Sequence, residues 1–334
     1  MHVVVFGAGA VGSVLGGHLA LRKHDVQLVC RDAHARAITD EGLHLRSATG
    51  DHVAHPRATT TLSASDLTEK TWLILAVKSQ DTPRCTEEIA AVAGPSLRLL
   101  SFQNGVDNEA ALAERFARVY GGVCRMTCSM IQPGHASFRR MGRLVVGKHP
   151  KGVDPAVKGL AVALGEAGFD VCVSRAIAVD KWLKLAANVQ SAFHAVIDEH
   201  DHDANEFLEL KAKILEETRH VFKVARIKAK SFDGRDPSID EMIDELRRPR
   251  ARRAAHRINV HNSLWQDLYL RRDTIENPGL HRPLIEAARA HGVPTPYNDV
   301  ALALAEQCHR KGTGPNAIRL PAVLALIEER KRAA

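Results

Sequence analysis

The stretch HVVVFGAGAVGSVLGGHLAL, residues 2–21, decides the fold. It begins with a short apolar run, residues 2–6, whose unbroken hydrophobicity is typical of a parallel strand covered on both faces. Gly7, Gly9 and Gly12 follow in the pattern G-x-G-x-x-G and open a helix-like stretch that extends to about Lys23. A strand, a glycine turn and a helix in this order predict a Rossmann-type dinucleotide-binding unit.

The glycine loop, residues 7–12, is expected to hold the diphosphate of a dinucleotide. The first glycine permits a tight turn, the second lets the backbone approach the ligand, and the third lets helix and strand pack closely. The anion then lies at the helix N-terminus, where N–H groups and the helix dipole favour negative charge. The predicted cofactor-binding residues of this loop are Gly7, Ala8, Gly9, Ala10, Val11 and Gly12. The alternative is a glycine-rich turn without a ligand.

The end of the second predicted strand, residues 26–30, indicates which dinucleotide binds. NAD-specific folds place Asp or Glu there to bind the ribose hydroxyls. This chain has Arg31, whose guanidinium fork suits the 2′-phosphate of NADP, followed directly by Asp32. We therefore predict NADP (NADPH) as the cofactor, with a solvated loop charge as the alternative interpretation of Arg31.

The predicted secondary structure changes near residue 173. Before that point apolar strands alternate with helical stretches, which predicts an α/β domain with a doubly wound parallel sheet. The further strand candidates are residues 71–77, 97–102, 119–130 and 142–147, and residues 84–93 are a helix candidate. After it, the long stretches are helical, at residues 181–197, 205–229, 239–270 and 283–291. The prediction is an N-terminal Rossmann domain, residues 1–173, that binds NADP, and an all-helical domain, residues 174–334, for substrate binding and dimerisation.

Three motifs accompany the glycine loop in chain order. Lys78 lies in AVKSQDT and Asn104 in SFQNG, each after a predicted strand, and DKWLKLAAN contains Lys184 and Asn188. Together with Ser263 in SLWQDL and the stretch HGVPTPYN at 291–298, this set resembles the ketopantoate reductase (2-dehydropantoate 2-reductase) family. The resemblance spans nearly the whole chain.

The resemblance implies an enzyme that reduces the 2-oxo group of ketopantoate with NADPH and yields pantoate on the route to coenzyme A. It implies that Lys184 is the catalytic lysine and that Asn104 contacts both cofactor and substrate. Lys78 would line the cleft near the nicotinamide, and Asn188 and Ser263 would hold the substrate. A catalytic glutamate after the SLWQDL helix completes the family site, and Glu276 is the nearest match. The resemblance also leads us to expect a homodimer formed through the helical domain.

The chemistry requires these residue types independently of the family. Hydride delivery to a carbonyl carbon leaves negative charge on oxygen, which a protonated lysine can neutralise before it donates a proton. Lys184 and Asn188 are four residues apart, so one helix face presents both. The alternative for Lys184 is a surface lysine on an amphipathic helix, and Lys181 is a nearby competitor to which the same alternative applies. The alternative for Asn104 is an ordinary Asn-Gly turn.

The substrate side departs from the family pattern. Ala192 occupies the position of a second family asparagine, four residues after Asn188. Counting forward from Ser263 puts Ile275 at the glutamate position, whereas counting back from 291–296 puts Glu276 there. Pro278 also interrupts a stretch that the family continues as helix. The 2-oxo acid class is therefore better supported than ketopantoate itself.

Composition excludes several other classes. With 45% hydrophobic and 25% charged residues, the 334-residue chain can build packed cores. The net charge of +7 favours an anionic partner, but aromatic residues at 4% are too few for a base-stacking surface, so we expect no nucleic acid. No apolar run approaches the roughly 20 residues of a membrane span, and the six cysteines form no disulfide framework, so we expect a cytoplasmic enzyme.

Two charged runs remain outside this scheme. The arginine run, residues 247–257, lacks interleaved aromatics, and we interpret it as a solvated helix face or subunit contact. The run DEHDHD, residues 198–203, matches no standard metal-ligand spacing, and we predict no metal.

The alternative functions are a reductase of the same architecture for another 2-oxo or imino acid, and a non-enzymatic nucleotide-sensing or nucleic-acid-binding protein.

Overall fold

A computed structural model describes residues 1–139, 141–248 and 261–333. Within these ranges the chain divides into two compact units. The first is formed by Met1–Asp180 with His261, and the second by residues 181–248 and 262–333. The division falls within helix α6, Ile177–Val189, a few residues after the predicted domain boundary at residue 173.

The first unit contains an eight-stranded and a four-stranded sheet. The strands are β1 His2–Phe6, β2 Asp25–Val29, β3 Leu43–Ser47, β4 Gly50–Ala54, β5 Arg57–Thr59, β6 Trp72–Leu75, β7 Arg98–Ser101, β8 Arg118–Cys124, β9 Cys128–Gln132, β10 His135–Phe138, β11 Arg143–Lys148 and β12 Asp170–Val173. Its helices are α1 Ala10–Leu21, α2 Asp32–Glu41, α3 Thr82–Ala90, α4 Asn108–Ala113 and α5 Pro155–Glu166.

The large sheet has the order β12-β11-β8-β7-β6-β1-β2-β5. Its strands from β8 to β5 pair in parallel, and only β11 pairs antiparallel, with β8. Both faces are covered, because alternate residues of β1 enter different cores: Val3 and Val5 pack with α1, and Val4 and Phe6 pack with α3. The predicted Rossmann-type architecture is confirmed.

The four-stranded sheet, β4-β3-β10-β9, was not expected from the sequence. Residues 119–130, predicted as one strand, split into β8 and β9, and β9 joins the second sheet. In that sheet β10 pairs in parallel with β3, whose residues lie about ninety positions earlier, for example His135 opposite His44. Such distant pairing leaves no local pattern in the sequence.

The second unit is helical, as predicted. After α6 come α7 Ser191–Val196, α8 Asn205–Val224, α9 Ile239–Arg247, α10 Ser263–Tyr269, α11 Asn277–Arg289, α12 Pro296–Lys311 and α13 Leu320–Ala333. The helix predicted over 239–270 is wrong as a continuous element, since α9 ends at Arg247 and Arg248 is extended (ψ 140°). The residue that follows Arg248 in sequence is proline, which disfavours helical backbone at the residue before it.

Both charged runs contribute to packing where the structure describes them. Arg247 in α9 donates to Glu209 (2.6 and 2.9 Å) and Glu216 (2.7 Å) on α8. Of the predicted run 247–257, the part from residue 249 lies outside the described residues. In the run 198–203, Asp201 accepts two hydrogen bonds from Arg319 (2.9 and 3.0 Å) and one from the Leu320 backbone N–H (2.9 Å). The Asp201 carboxylate thus holds the start of α13.

Candidate active site

The predicted cofactor residues lie along the carboxyl edge of the large sheet. Strands β1, β2, β6 and β7 run in parallel, so the loops that follow them lie along one edge. Those loops carry the glycine loop, Arg31, Lys78 and Asn104, respectively. Because β1 pairs with β2 on one side and with β6 on the other, the glycine loop lies where the strand order reverses, the position at which open α/β sheets bind their ligands.

The three glycines of the loop differ in what surrounds them. Gly7 has φ +92°, and a Cβ there would lie 2.4 Å from the Val77 side chain. A Cβ on Gly12 would lie 2.7 Å from the Gly7 carbonyl oxygen. A Cβ on Gly9 would meet no described atom within 4 Å. Gly7 and Gly12 are therefore required by the fold, whereas the missing side chain of Gly9 leaves open space over the start of α1.

The glycine loop is tied to the neighbouring strand and its helix is uncapped. The Gly7 and Ala8 N–H groups both donate to the Val29 carbonyl oxygen (2.9 and 3.1 Å). Gly9 is the N-cap of α1 and offers no side-chain acceptor to the first N–H groups of the helix. These donors and the helix dipole suit an anion, so the loop fits the diphosphate of a dinucleotide.

Two valine substitutions distinguish the glycine that the fold requires, Gly12, from the glycine that leaves space for the ligand, Gly9. We expect Gly12→Val to lower the melting temperature by roughly 5 °C or more, because its side chain must displace backbone. Gly9→Val should leave the melting temperature unchanged and weaken NADPH binding by at least about tenfold, since it fills the space left for the ligand. Differential scanning fluorimetry and titration with NADPH measure both. Unaltered NADPH affinity in folded Gly9→Val would contradict this location of the diphosphate.

Arg31 lies at the N-cap position of α2 with its side chain exposed. The neighbouring Asp32, which complicates the prediction of NADP, forms an ion pair with Arg36 one turn later, with Arg36 Nε 3.0 Å from Asp32 Oδ1. The acid is thus engaged within its own helix, whereas no hydrogen bond or ion pair among the described residues occupies the Arg31 guanidinium. This arrangement fits a cation held ready for a phosphate.

Lys78 and Asn104 follow adjacent strands, and a polar network connects their loops. Ser79 donates to the Asn104 carbonyl oxygen (2.6 Å), and the Asn108 side-chain amide donates to the same oxygen (2.7 Å). Gly105 has φ +87°, so the Asn-Gly turn is present. The Asn-Gly turn fixes the backbone of Asn104, whose half-buried side chain lies at the sheet edge, and its contact with cofactor and substrate stays a prediction.

The remaining predicted site residues lie in the second unit. Lys184 and Asn188 occupy successive turns of α6 and are both half-buried. Lys181, the competing lysine, is only 5% exposed. Trp182 packs edge-on against Phe222 of α8 (ring centroids 5.4 Å apart), which fixes this part of the helix within the unit.

Ser263 and Glu276 meet directly. The Ser263 hydroxyl donates to Glu276 Oε2 (3.1 Å), and Glu276 is only 5% exposed. Ser263 is the first residue of α10 and Glu276 is the N-cap residue of α11. Ile275, the other candidate for the glutamate position, is a buried apolar residue. The contact favours the alignment in which Glu276 completes the site. Pro278 lies in the first turn of α11, where proline is tolerated.

Sequence reasoning missed two residues that hold this pair. The Asn262 side chain caps α10 by accepting from the Trp265 N–H (2.8 Å) and donates to the Ser191 carbonyl oxygen (3.1 Å), which links α10 to α7. Buried Asp267 accepts from the Glu276 N–H (3.4 Å). An asparagine directly before a helical run is a capping signal that could have identified Asn262; Asp267 had no comparable signal.

Several known proteins resemble this chain along nearly its whole length. The family model described as ketopantoate reductase PanE/ApbA matches residues 3–151. The 2-dehydropantoate 2-reductase of Pyrococcus horikoshii is 26% identical over 315 residues, which cover 94% of this chain and 99% of that protein. Along nearly its whole length, this chain is similar to members of the ketopantoate reductase family.

Solved structures share the fold along nearly the whole chain. The PanE/ApbA family ketopantoate reductase from Ralstonia eutropha has a TM-score of 0.76 and 26% identity, covering 94% of this chain and 100% of its own. D-mandelate dehydrogenase in complex with NADH and anilino(oxo)acetate also has a TM-score of 0.76 and covers 94% of this chain and 100% of its own, but at 20% identity it shows the fold alone. These likenesses support an oxidoreductase that acts on a CH–OH group.

No described helix combines the length and apolar character that a membrane span requires. The described residues also contain no group of three or more metal-capable His, Cys, Asp or Glu side chains.

Proposed function

We propose that this chain is a ketopantoate reductase family member that uses NADPH to reduce a 2-oxo acid to a 2-hydroxy acid, with 2-dehydropantoate as substrate and pantoate as product. The observation that carries the proposal is the hydrogen bond from Ser263 to Glu276, because it supplies the carboxylate that the departures from the family pattern had left in question. The chain-order match of Lys184, Asn188 and the glycine loop supports the same assignment.

NADPH, when bound, supplies the hydride that adds to the 2-carbon. The glycine loop would hold its diphosphate and Arg31 its 2′-phosphate, with Lys78 and Asn104 toward the nicotinamide. Lys184 would donate a hydrogen bond from Nζ to the 2-oxo oxygen and then transfer a proton to it as negative charge develops. Asn104 and Asn188 offer amide donors for the substrate carboxylate.

The Ser263–Glu276 pair recognises a donor on the substrate. Since the Ser263 hydrogen points to Glu276 Oε2, the Ser263 oxygen presents lone pairs rather than a proton. The Glu276 carboxylate is likewise an acceptor. Together they suit a hydroxyl group of the substrate, which 2-dehydropantoate carries at its far end.

One observation favours a substrate other than 2-dehydropantoate. Ala192, at the position of a second family asparagine, is fully buried and apolar, so one amide is missing from the substrate side. A panel of 2-oxo acids with NADPH separates the candidates. Turnover confined to other members of the panel would replace 2-dehydropantoate by that substrate and leave the reaction class unchanged. A homodimer formed through the helical domain stays a prediction.

The choice of NADPH predicts a specific defect at Arg31. We expect Arg31→Ala to raise the KM for NADPH by roughly 10–100-fold, the equivalent of losing charged hydrogen bonds of about 1.5–3 kcal/mol. The KM for NADH should not change, because NADH has no 2′-phosphate. Arg36→Ala is the matched control and should leave both values within about threefold. An equal loss with both cofactors would rule out a contact to the 2′-phosphate.

A further inference from the structure

A buried polar chain crosses three helices of the second unit. Glu217 on α8 accepts hydrogen bonds from the backbone N–H groups of Tyr297 and Asn298 (both 2.9 Å) and from Asn298 Nδ2 (2.7 Å). Asn298 on α12 in turn contacts His281 on α11, with Oδ1 2.8 Å from Nδ1. Asn298 and His281 are fully buried, and burial raises the pKa of Glu217 to about 7.

These hydrogen bonds determine which ring nitrogen of His281 carries the hydrogen. Because Nδ2 of Asn298 donates to Glu217, the Asn298 oxygen must be the acceptor toward His281, so Nδ1 of His281 is the donor. Burial lowers the pKa of His281 to about 4, which keeps the ring neutral near pH 7. A neutral ring with its hydrogen on Nδ1 has a bare lone pair on Nε2. That nitrogen is buried and has no hydrogen-bond partner in the part of the chain that the structure describes.

Asn277 lies one turn before His281 on α11, and its side-chain amide is also buried without a hydrogen-bond partner among the described residues. Its side chain is 1% exposed, and neither Nδ2 nor Oδ1 has a hydrogen-bond partner among residues 1–139, 141–248 and 261–333. Residues four apart on a helix have Cβ atoms about 5–6 Å from each other. The buried amide and imidazole therefore lie on the same face of α11, where unpaired polar groups are unfavourable unless a further molecule pairs with them.

We propose that a hydroxyl group binds between Asn277 and His281, donating its hydrogen to His281 Nε2 and accepting one from Asn277 Nδ2. Two hydrogen bonds of about 2.8 Å span the separation expected for side chains one turn apart. A carboxylate has no hydrogen to give to Nε2, and an ammonium group has no lone pair for Nδ2. A hydroxyl has both.

The hydroxyl has two sources. One is a resident water, which typically makes two to four hydrogen bonds when buried. The other is the hydroxyl of a substrate, which would then bind here instead of at the Ser263–Glu276 pair, whose Glu276 directly precedes Asn277. The site exists whether or not the proposed reaction is correct, because it is defined by Asn277 and His281 alone.

High-resolution crystal structures of the full chain distinguish these sources. Three crystals are compared: without substrate, with 2-dehydropantoate, and with 3,3-dimethyl-2-oxobutanoate, which lacks the hydroxyl. Density for an ordered oxygen within about 3.2 Å of His281 Nε2 and the Asn277 amide in all three identifies a water. Density only with 2-dehydropantoate identifies the substrate hydroxyl. A site that is dry in every crystal overturns the proposal.

A thermal measurement tests the same site without substrate. If a resident water is bound, Asn277→Leu removes one of its partners, and the melting temperature should fall by roughly 3–8 °C. If nothing binds, leucine replaces an unpaired buried amide by an apolar group, and the melting temperature should rise. Asn205→Leu is the matched control, because Asn205 is also the first residue of its helix but is exposed. A rise with Asn277→Leu, together with the dry crystals, excludes the hydroxyl.

Discussion

Lys184→Ala is expected to lower kcat by roughly 10²–10⁴-fold, the range over which a positioned general acid contributes. NADPH binding should change by less than about threefold, because the assigned cofactor residues lie on the sheet edge of the first unit and not on α6. Steady-state kinetics with a 2-oxo acid, and fluorescence titration with NADPH, measure the two effects separately.

The controls for Lys184 address the alternative interpretations. Lys158→Ala, at an exposed position on α5, should leave kcat unchanged. Lys181→Met tests the competing lysine, which is buried, and should affect stability more than the chemical step. Full activity of Lys184→Ala would remove this lysine from the mechanism. A nucleotide-sensing protein would bind NADPH equally with and without Lys184 and would show no turnover in either form.

Glu276→Gln is expected to lower kcat/KM by roughly 10–100-fold. Glutamine has nearly the same shape and can still accept from Ser263, so the substitution removes the carboxylate charge and one acceptor oxygen while keeping the helix start. The loss reports the difference between a charged and a neutral hydrogen-bond acceptor for the substrate. The melting temperature should change little by comparison.

Ile275→Val is the matched control for this prediction. It trims the neighbouring buried side chain and should cost about 0.5–1.5 kcal/mol of stability, while kcat/KM stays within about threefold. The reverse pattern, with activity lost in Ile275→Val and retained in Glu276→Gln, would show that the alignment forward from Ser263 is correct.

The parts of the fold that the sequence could predict are those with local signals. The first strand, the glycine loop and α1 form one contiguous stretch in which hydrophobic run, turn chemistry and helix start agree. The second sheet has no such signal, because β4 is mostly exposed and β10 pairs with a strand far away in the chain. Distant pairing is set by tertiary packing, which a local pattern does not contain.

The same distinction applies to the candidate site. Lys184 and Asn188 could be identified because a helix puts residues four apart on one face. The choice between Ile275 and Glu276 could not be made by counting, since a single insertion reverses it, and the hydrogen bond from Ser263 favours Glu276. The buried contact of His281 with Asn298 joins residues on two different helices and was likewise invisible in the sequence.

The most direct test of the proposed function is to follow the hydride itself. The purified chain is incubated with 2-dehydropantoate and NADPH that carries deuterium at the transferred position, and the product is analysed by mass spectrometry and NMR. We predict pantoate with one deuterium on carbon 2, formed in step with NADPH oxidation and much more slowly when NADH replaces NADPH. Binding of NADPH without its oxidation by 2-dehydropantoate or any other 2-oxo acid would contradict the proposed reaction.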